Sequence, residues 1–235
     1  MSKIVRQLQA TMTPEKKKIA RNDYFAFYIG RPISYLFTIP FLWVNASPKT
    51  VTIFSIIIVW IAAGVMFVAS NIKLAILAWV LFFIWNLLDG VDGNIARLKN
   101  IQSDNGSVWD AMSGYFAMFL LFASVGFYTV NSIGVYEWSN LIIAMSVLSG
   151  LFQIFPRLVL QKARNTQKSE NVDSLVDKST FGLSKILALN LTSVTGGPQL
   201  ILLLSILTGT TGYFVIFYFI VNGLLMIASL TKILE

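Results

Sequence analysis

Long apolar runs broken by short polar stretches dominate the chain. Residues 50–70, 74–97, 107–130, 138–161, 184–208 and 211–231 each hold an apolar stretch of membrane-crossing length. The apolar positions are continuous within each run rather than alternating, which predicts helices and argues against a β-barrel. Ser47-Pro48 marks the start of the first run, and Gly196-Gly197-Pro198 breaks the fifth. Residues 162–183 are polar and read as a loop. Residues 24–46 are aromatic but interrupted by Arg31, Pro32 and Pro40, so they fit either a poor span or an interfacial segment. The fold class that follows is an all-α integral membrane protein. A basic N-terminal segment with an interfacial helix (1–49) precedes a six-helix membrane domain (50–235).

Charge decides between six spans and seven. With 24–46 lying on the membrane and the N-terminus inside, 17 of the 18 Lys and Arg residues fall on the cytoplasmic side, and only Lys73 lies outside. A seventh span would leave 8 inside and 10 outside, so the positive-inside rule favours six. Both termini are then expected in the cytoplasm. The net charge of +7 would suggest nucleic acid in a soluble protein. Here it is expected to set topology and to meet anionic lipid headgroups, with no nucleic-acid partner.

Composition narrows the chemistry. The chain is 56% hydrophobic and has neither Cys nor His. That removes disulfides, thiol chemistry, His-ligated zinc and His-based triads. Carboxylates, hydroxyls, basic groups and hard cations remain. Three of the eleven acidic residues, Asp89, Asp92 and Asp110, lie in or beside apolar runs, where a carboxylate is costly and marks a functional site by default. Asp89 and Asp92 share a helix face at i,i+3. The turn formers from Asn100 to Gly106 would bring Asp110 back toward them on a second, antiparallel helix. Three converging carboxylates call for a counter-charge, and oxygen-preferring divalent cations supply one. A paired cation site suits phosphoryl transfer. A structural cluster paired with Arg97 is the plainer alternative, but one guanidinium cannot neutralise three carboxylates. Asp104, within Ser-Asp-Asn-Gly, reads as a turn residue.

The stretch from Asp89 to Gly114 resembles the signature of the CDP-alcohol phosphotransferases, also called CDP-alcohol phosphatidyltransferases. That signature is D-x-x-D-G-x-x-A-R, eight residues, then G-x-x-x-D-x-x-x-D. Asp89, Asp92, Gly93, Ala96, Arg97, Gly106 and Asp110 stand in register; Gly114 replaces the fourth aspartate. The resemblance implies that Asp89, Asp92 and Asp110 hold two divalent ions, Mg²⁺ or Mn²⁺. It implies that Gly93, Ala96 and Gly106 line a cytidine diphosphate pocket supported by Arg97. It also implies a six-helix plan, a homodimer, a CDP-alcohol donor and a lipid or glycan acceptor in phospholipid or surface-glycan synthesis. The expected location is a bacterial cytoplasmic membrane with the site facing the cytoplasm. Arg157 and Lys185 are candidates for an acceptor phosphate, with topology-setting charge as the plainer reading.

Gly114 leaves the catalytic base open. Either another group or a metal-bound oxygen takes the proton, or the acceptor arrives ionised, or the chain is an inert relative that keeps the cation site, or the glycine was introduced deliberately. Ser113 and Tyr115 are neighbours without an evident activating partner. A transporter or binder of CDP-linked or ionic ligands is the competing class. A transporter would be expected to carry repeated spans with paired breaks, whereas here the acidic cluster lies on one side and one strong break stands alone.

Overall fold

The computed structural model describes residues 2–101, 103–134, 137–166 and 182–234. Helices account for nearly all of them, and no strand occurs among the described residues. The protein is an all-α integral membrane protein. Two short helices, α1 (Ser2–Ala10) and α2 (Pro14–Ala20), lead through a π-helical turn (Ala26–Gly30) into α3 (Arg31–Trp43). Then come α4 (Pro48–Val68), α5 (Ile72–Lys99), α6 (Asp104–Ile133) and α7 (Ser139–Thr166). After them stand α8 (Leu183–Thr192), α9 (Gly197–Thr208) and α10 (Thr211–Leu234).

Five helices, α4 to α7 and α10, are long and apolar enough to cross a membrane, and α8 with α9 makes a sixth span bent by 49° at its break. The bend falls where the sequence breaks, at Gly196-Gly197-Pro198. Pro198 is tolerated there because it occupies the first turn of α9, where its missing N–H has no helical partner to lose. Helix α7 continues to Thr166, five residues beyond the run read from hydropathy. Most of the polar stretch 162–183, with Lys168 and Lys178, lies outside the described residues.

Lipid supplies little hydrophobic drive between helices, so close packing must hold them together. At the α6–α7 crossing, small residues allow it. Ser146 is buried against Gly126, and a Cβ at Gly150 would come within 2.9 Å of the Phe119 carbonyl. The larger core lies between α4, α5, α6, α9 and α10, where Met66, Phe82, Trp85, Leu121, Phe122, Leu202 and Tyr218 are buried together.

Local signals fix the helix ends that matter for the site. Ser47 caps α4 by accepting from the Thr50 N–H at 3.1 Å. Ser103 caps α6 by accepting from the Gly106 N–H at 3.1 Å. Between them, α5 stops at Asn100, which takes the left-handed conformation (φ 54°) that asparagine tolerates better than most residues. Lys99 then donates to Asn45 Oδ1 at 2.7 Å and to the Ala46 carbonyl at 3.0 Å. That fastens the end of α5 to the α3–α4 connection.

Candidate active site

A cleft of about 850 Å³ opens where α3, α4, α5 and the start of α6 meet, with the α8–α9 break at its side. Asp89, Asp92, Gly93, Ala96, Arg97, Gly106 and Asp110 all line it. The antiparallel start of α6 therefore brings Asp110 to the same cavity as the pair on α5. About three helical turns of α5 place the pattern: Asn86, Asp89, Gly90, Gly93, Ala96 and Arg97 recur at helical spacing and all face the cleft.

Asn86, Asp92 and Asn94 on α5 are each tied to another element. Asp92 is 5% exposed, and its Oδ2 lies 2.5 Å from the Thr52 hydroxyl of α4. Asn86 donates to the Thr195 carbonyl in the break at 3.0 Å, so the interruption of the fifth span forms part of the site. Asn94 donates to Ser34 Oγ at 3.3 Å and to Thr38 Oγ1 at 3.0 Å on α3, and its Oδ1 accepts from Arg97 at 2.8 Å. Two glycines let these parts come close. A Cβ at Gly90 would stand 2.9 Å from the Ser34 Cβ, and a Cβ at Gly93 would stand 3.1 to 3.6 Å from the Arg97 guanidinium folded over it. Small residues here serve helix–helix approach as much as substrate access.

The α6 side is more open. Asp110 is exposed, and Asp104, which the sequence presents as a turn residue, instead opens α6 and lines the cleft. A Cβ at Gly114 would meet nothing nearer than Met118 Cε at 3.9 Å, so packing does not require glycine there. Ser113 is fully buried, bonded to Ser55 Oγ and Trp85 Nε1 at 2.9 Å each, and faces the core rather than the cleft. Tyr115 bonds to Gln161 at 3.1 Å and lines a separate, mainly apolar groove between α6 and α7. Neither neighbour of Gly114 reaches the cleft.

The three carboxylates share the cavity without closing on one point. Among the described residues, no group of three acidic side chains is tight enough to hold an ion on protein atoms alone. The donor set still fits a hard divalent cation. It is made of oxygen ligands, and such ions commonly take one or two carboxylates and complete their shell with water and substrate phosphate. Neither Arg157 nor Lys185 lines the cleft; the cations that do are Arg31, Lys49 and Arg97. The sequence reading passed over Arg31, Ser34, Thr38, Lys49, Thr52 and Thr195 as site residues. Arg31, Ser34 and Thr38 carried one legible signal, a polar stripe at helical spacing within an otherwise apolar segment. Trp85 packs in the core, whereas Trp109 lines the cleft beneath Lys49, whose Nζ lies 5.3 Å from the ring centroid.

Comparison with known proteins adds one finding. The family model for CDP-alcohol phosphatidyltransferase matches residues 45–168, which include α4 to α7 and every carboxylate that lines the cleft. No curated protein matches the chain.

Proposed function

The chain belongs to the CDP-alcohol phosphatidyltransferase family, and on that premise we propose that it transfers a phospho-alcohol group from a CDP-alcohol to an acceptor oxygen and releases CMP. The observation that carries the reading is the opening of Asp89, Asp92 and Asp110 onto one cleft walled by Gly93, Ala96, Arg97 and Gly106. In the reaction the acceptor oxygen forms a bond to the phosphorus that bears the alcohol. The bond from that phosphorus to the bridging oxygen breaks, and CMP leaves with the electron pair.

Members of the family use divalent metals in general, and the ion, Mg²⁺ or Mn²⁺, would neutralise charge on the attacking and leaving oxygens when bound. Asp89, Asp92 and Asp110 would hold it. Thr52 orients Asp92 from behind, as an outer partner of a metal-binding carboxylate does. Gly93 and Ala96 admit the diphosphate close to α5. No side chain at position 114 can take a proton. The proton of an acceptor hydroxyl therefore leaves to Asp110 or to water in the cleft, and an acceptor that arrives ionised needs neither. The site faces the cytoplasm by the distribution of Lys and Arg. The organism class, the dimer and the acceptor, lipid or glycan, belong to the same proposal by family likeness.

Gly114 favours a second reading, a relative that binds CDP-alcohols without turnover. One experiment separates the two: CMP release by the purified chain in lipid with Mg²⁺ or Mn²⁺. The donors would be CDP-diacylglycerol, CDP-choline, CDP-ethanolamine and CDP-glycerol, each with pooled envelope acceptors. The expected result is metal-dependent release that falls by about 10³-fold or more in Asp92→Asn, the scale of several kcal/mol of lost charge stabilisation. Nucleotide binding without release, with turnover appearing only in Gly114→Asp, would replace the enzyme by the binder. Neither binding nor release would end both.

A further inference from the structure

Arg31 stands outside the family-matched residues, yet it reaches the site. It opens α3, and it shares a helical face with Ser34, Tyr35 and Thr38, the face that packs on α5. The Asn94 bonds to Ser34 and Thr38 fix the register of that contact, one turn below Arg97. Arg31 and Arg97 therefore enter the same cleft from two helices, within electrostatic reach of each other.

Their surroundings leave them short of partners. The Nε of each is buried and has no hydrogen-bond partner among the described residues. Arg97 spends one terminal nitrogen on Asn94, and its guanidinium lies over Gly93. Arg31 has a terminal nitrogen on the sulfur of Met12, a weak acceptor, and lies 5.9 Å from the centroid of the Phe27 ring. Of the nearby carboxylates, Asp92 lies within electrostatic reach of Arg97 but makes its hydrogen bond with Thr52. Two guanidiniums side by side in a cavity are stabilised by an anion that can accept several N–H bonds at once, and phosphate oxygens match that fork.

We infer that Arg31 and Arg97 form an oxyanion subsite of the cleft that takes a phosphate group of a substrate, with Arg31 a binding residue that lies outside the family signature. The identity of the anion rests on the proposed function; the sign of the charge does not. The phosphate belongs either to the diphosphate of the donor or to a phosphorylated acceptor.

The test is equilibrium binding to the full chain in neutral phosphatidylcholine nanodiscs, with EDTA present so that no metal contributes. The ligands are inorganic phosphate, pyrophosphate, CDP, glycerol 3-phosphate and cytidine. Oxyanions are expected to bind the natural chain. In Arg31→Gln their affinity should fall about tenfold or more, the range for loss of a charge-assisted bidentate contact, while cytidine is unaffected. Arg31→Lys, which keeps the charge without the fork, should lie between the two, and it reads the same question if Arg31→Gln fails to fold. A loss confined to CDP and pyrophosphate assigns the subsite to the donor; a loss confined to glycerol 3-phosphate and phosphate assigns it to the acceptor. Unchanged oxyanion binding in both variants, or no oxyanion binding by the natural chain, overturns the inference. Metal-dependent CMP release is scored separately. Release with unchanged oxyanion binding in the variants keeps the function and removes the subsite. Oxyanion binding lost in Arg31→Gln, without nucleotide binding or release in metal, does the reverse.

Discussion

Helices α5 and α6 bring unequal things to the cleft. On α5, Asn86, Asp92, Asn94 and Arg97 are each tied to a partner, and three of the four ties reach another element: the α8–α9 break, α4 and α3. On α6, Asp110 is exposed, and the next position of the signature is a glycine with open space beside it. One arm is organised by the protein before anything binds. On the proposed function, the other would be completed by what enters, whether a cation, a phosphate or the acceptor. Preorganisation on one side and room on the other is what a two-substrate site needs if one substrate is common to a family and the second varies.

Three changes would break or sharpen this contrast. The largest effect is expected from Gly90→Ala, because its methyl would stand 2.9 Å from the Ser34 Cβ across the α3–α5 contact. Overpacking of this kind costs about 1–3 kcal/mol, read as a lower melting temperature in nanodiscs. Adding Ser34→Gly should recover part of the loss, and no recovery would mean that the strain lies elsewhere. Next is Thr52→Val, which keeps the shape of the side chain and removes the hydroxyl behind Asp92. The metal concentration for half-maximal CMP release should rise about 10- to 100-fold, with folding preserved; an unchanged metal requirement would separate Asp92 from the cation. The smallest is Gly114→Ala, which should raise stability by about 0.5–1 kcal/mol, since glycine costs that much inside a helix and the added methyl meets nothing nearer than Met118. A large loss of stability there would mean that the open arm is not open.

How much of this was legible in sequence follows from how the site is distributed along the chain. Asp89, Asp92 and Asp110 sit in one contiguous stretch, and helical periodicity with a short turn brings them to one cavity without long-range knowledge. The all-α membrane class was legible for a similar reason, because runs of twenty apolar residues leave few alternatives. Thr52 was harder to see. It lies in α4, forty residues from Asp92, and a lone threonine in an apolar helix commonly bonds to its own backbone, as Thr52 also does to the Pro48 carbonyl at 3.1 Å. Arg31 and Ser34 were hidden by Pro32 and Pro40, which made the segment look broken. Pro32 falls in the first turn of α3, where it suits the helix, and Pro40 sits inside α3 without ending it. Spacing gives a shared face and a shared cavity, but not how tightly the three carboxylates converge.

The hydrogen bonds that join the first fifty residues to the rest span long intervals of chain. Ser34 meets Asn94 across 60 positions, and Asp23 meets Ser193, at 3.0 Å, across 170. At the roughly 5–20 residues per second of protein synthesis, α3 is made about 3–12 s before its partner on α5. Asp23 waits longer still, about 8–34 s, for the break in the fifth span. The N-terminal segment thus leaves the ribosome first and docks in stages, and the wall built on Thr195 cannot form until the fifth span has been inserted. A nascent chain stalled after α7 would carry every carboxylate of the signature and still lack a closed cleft.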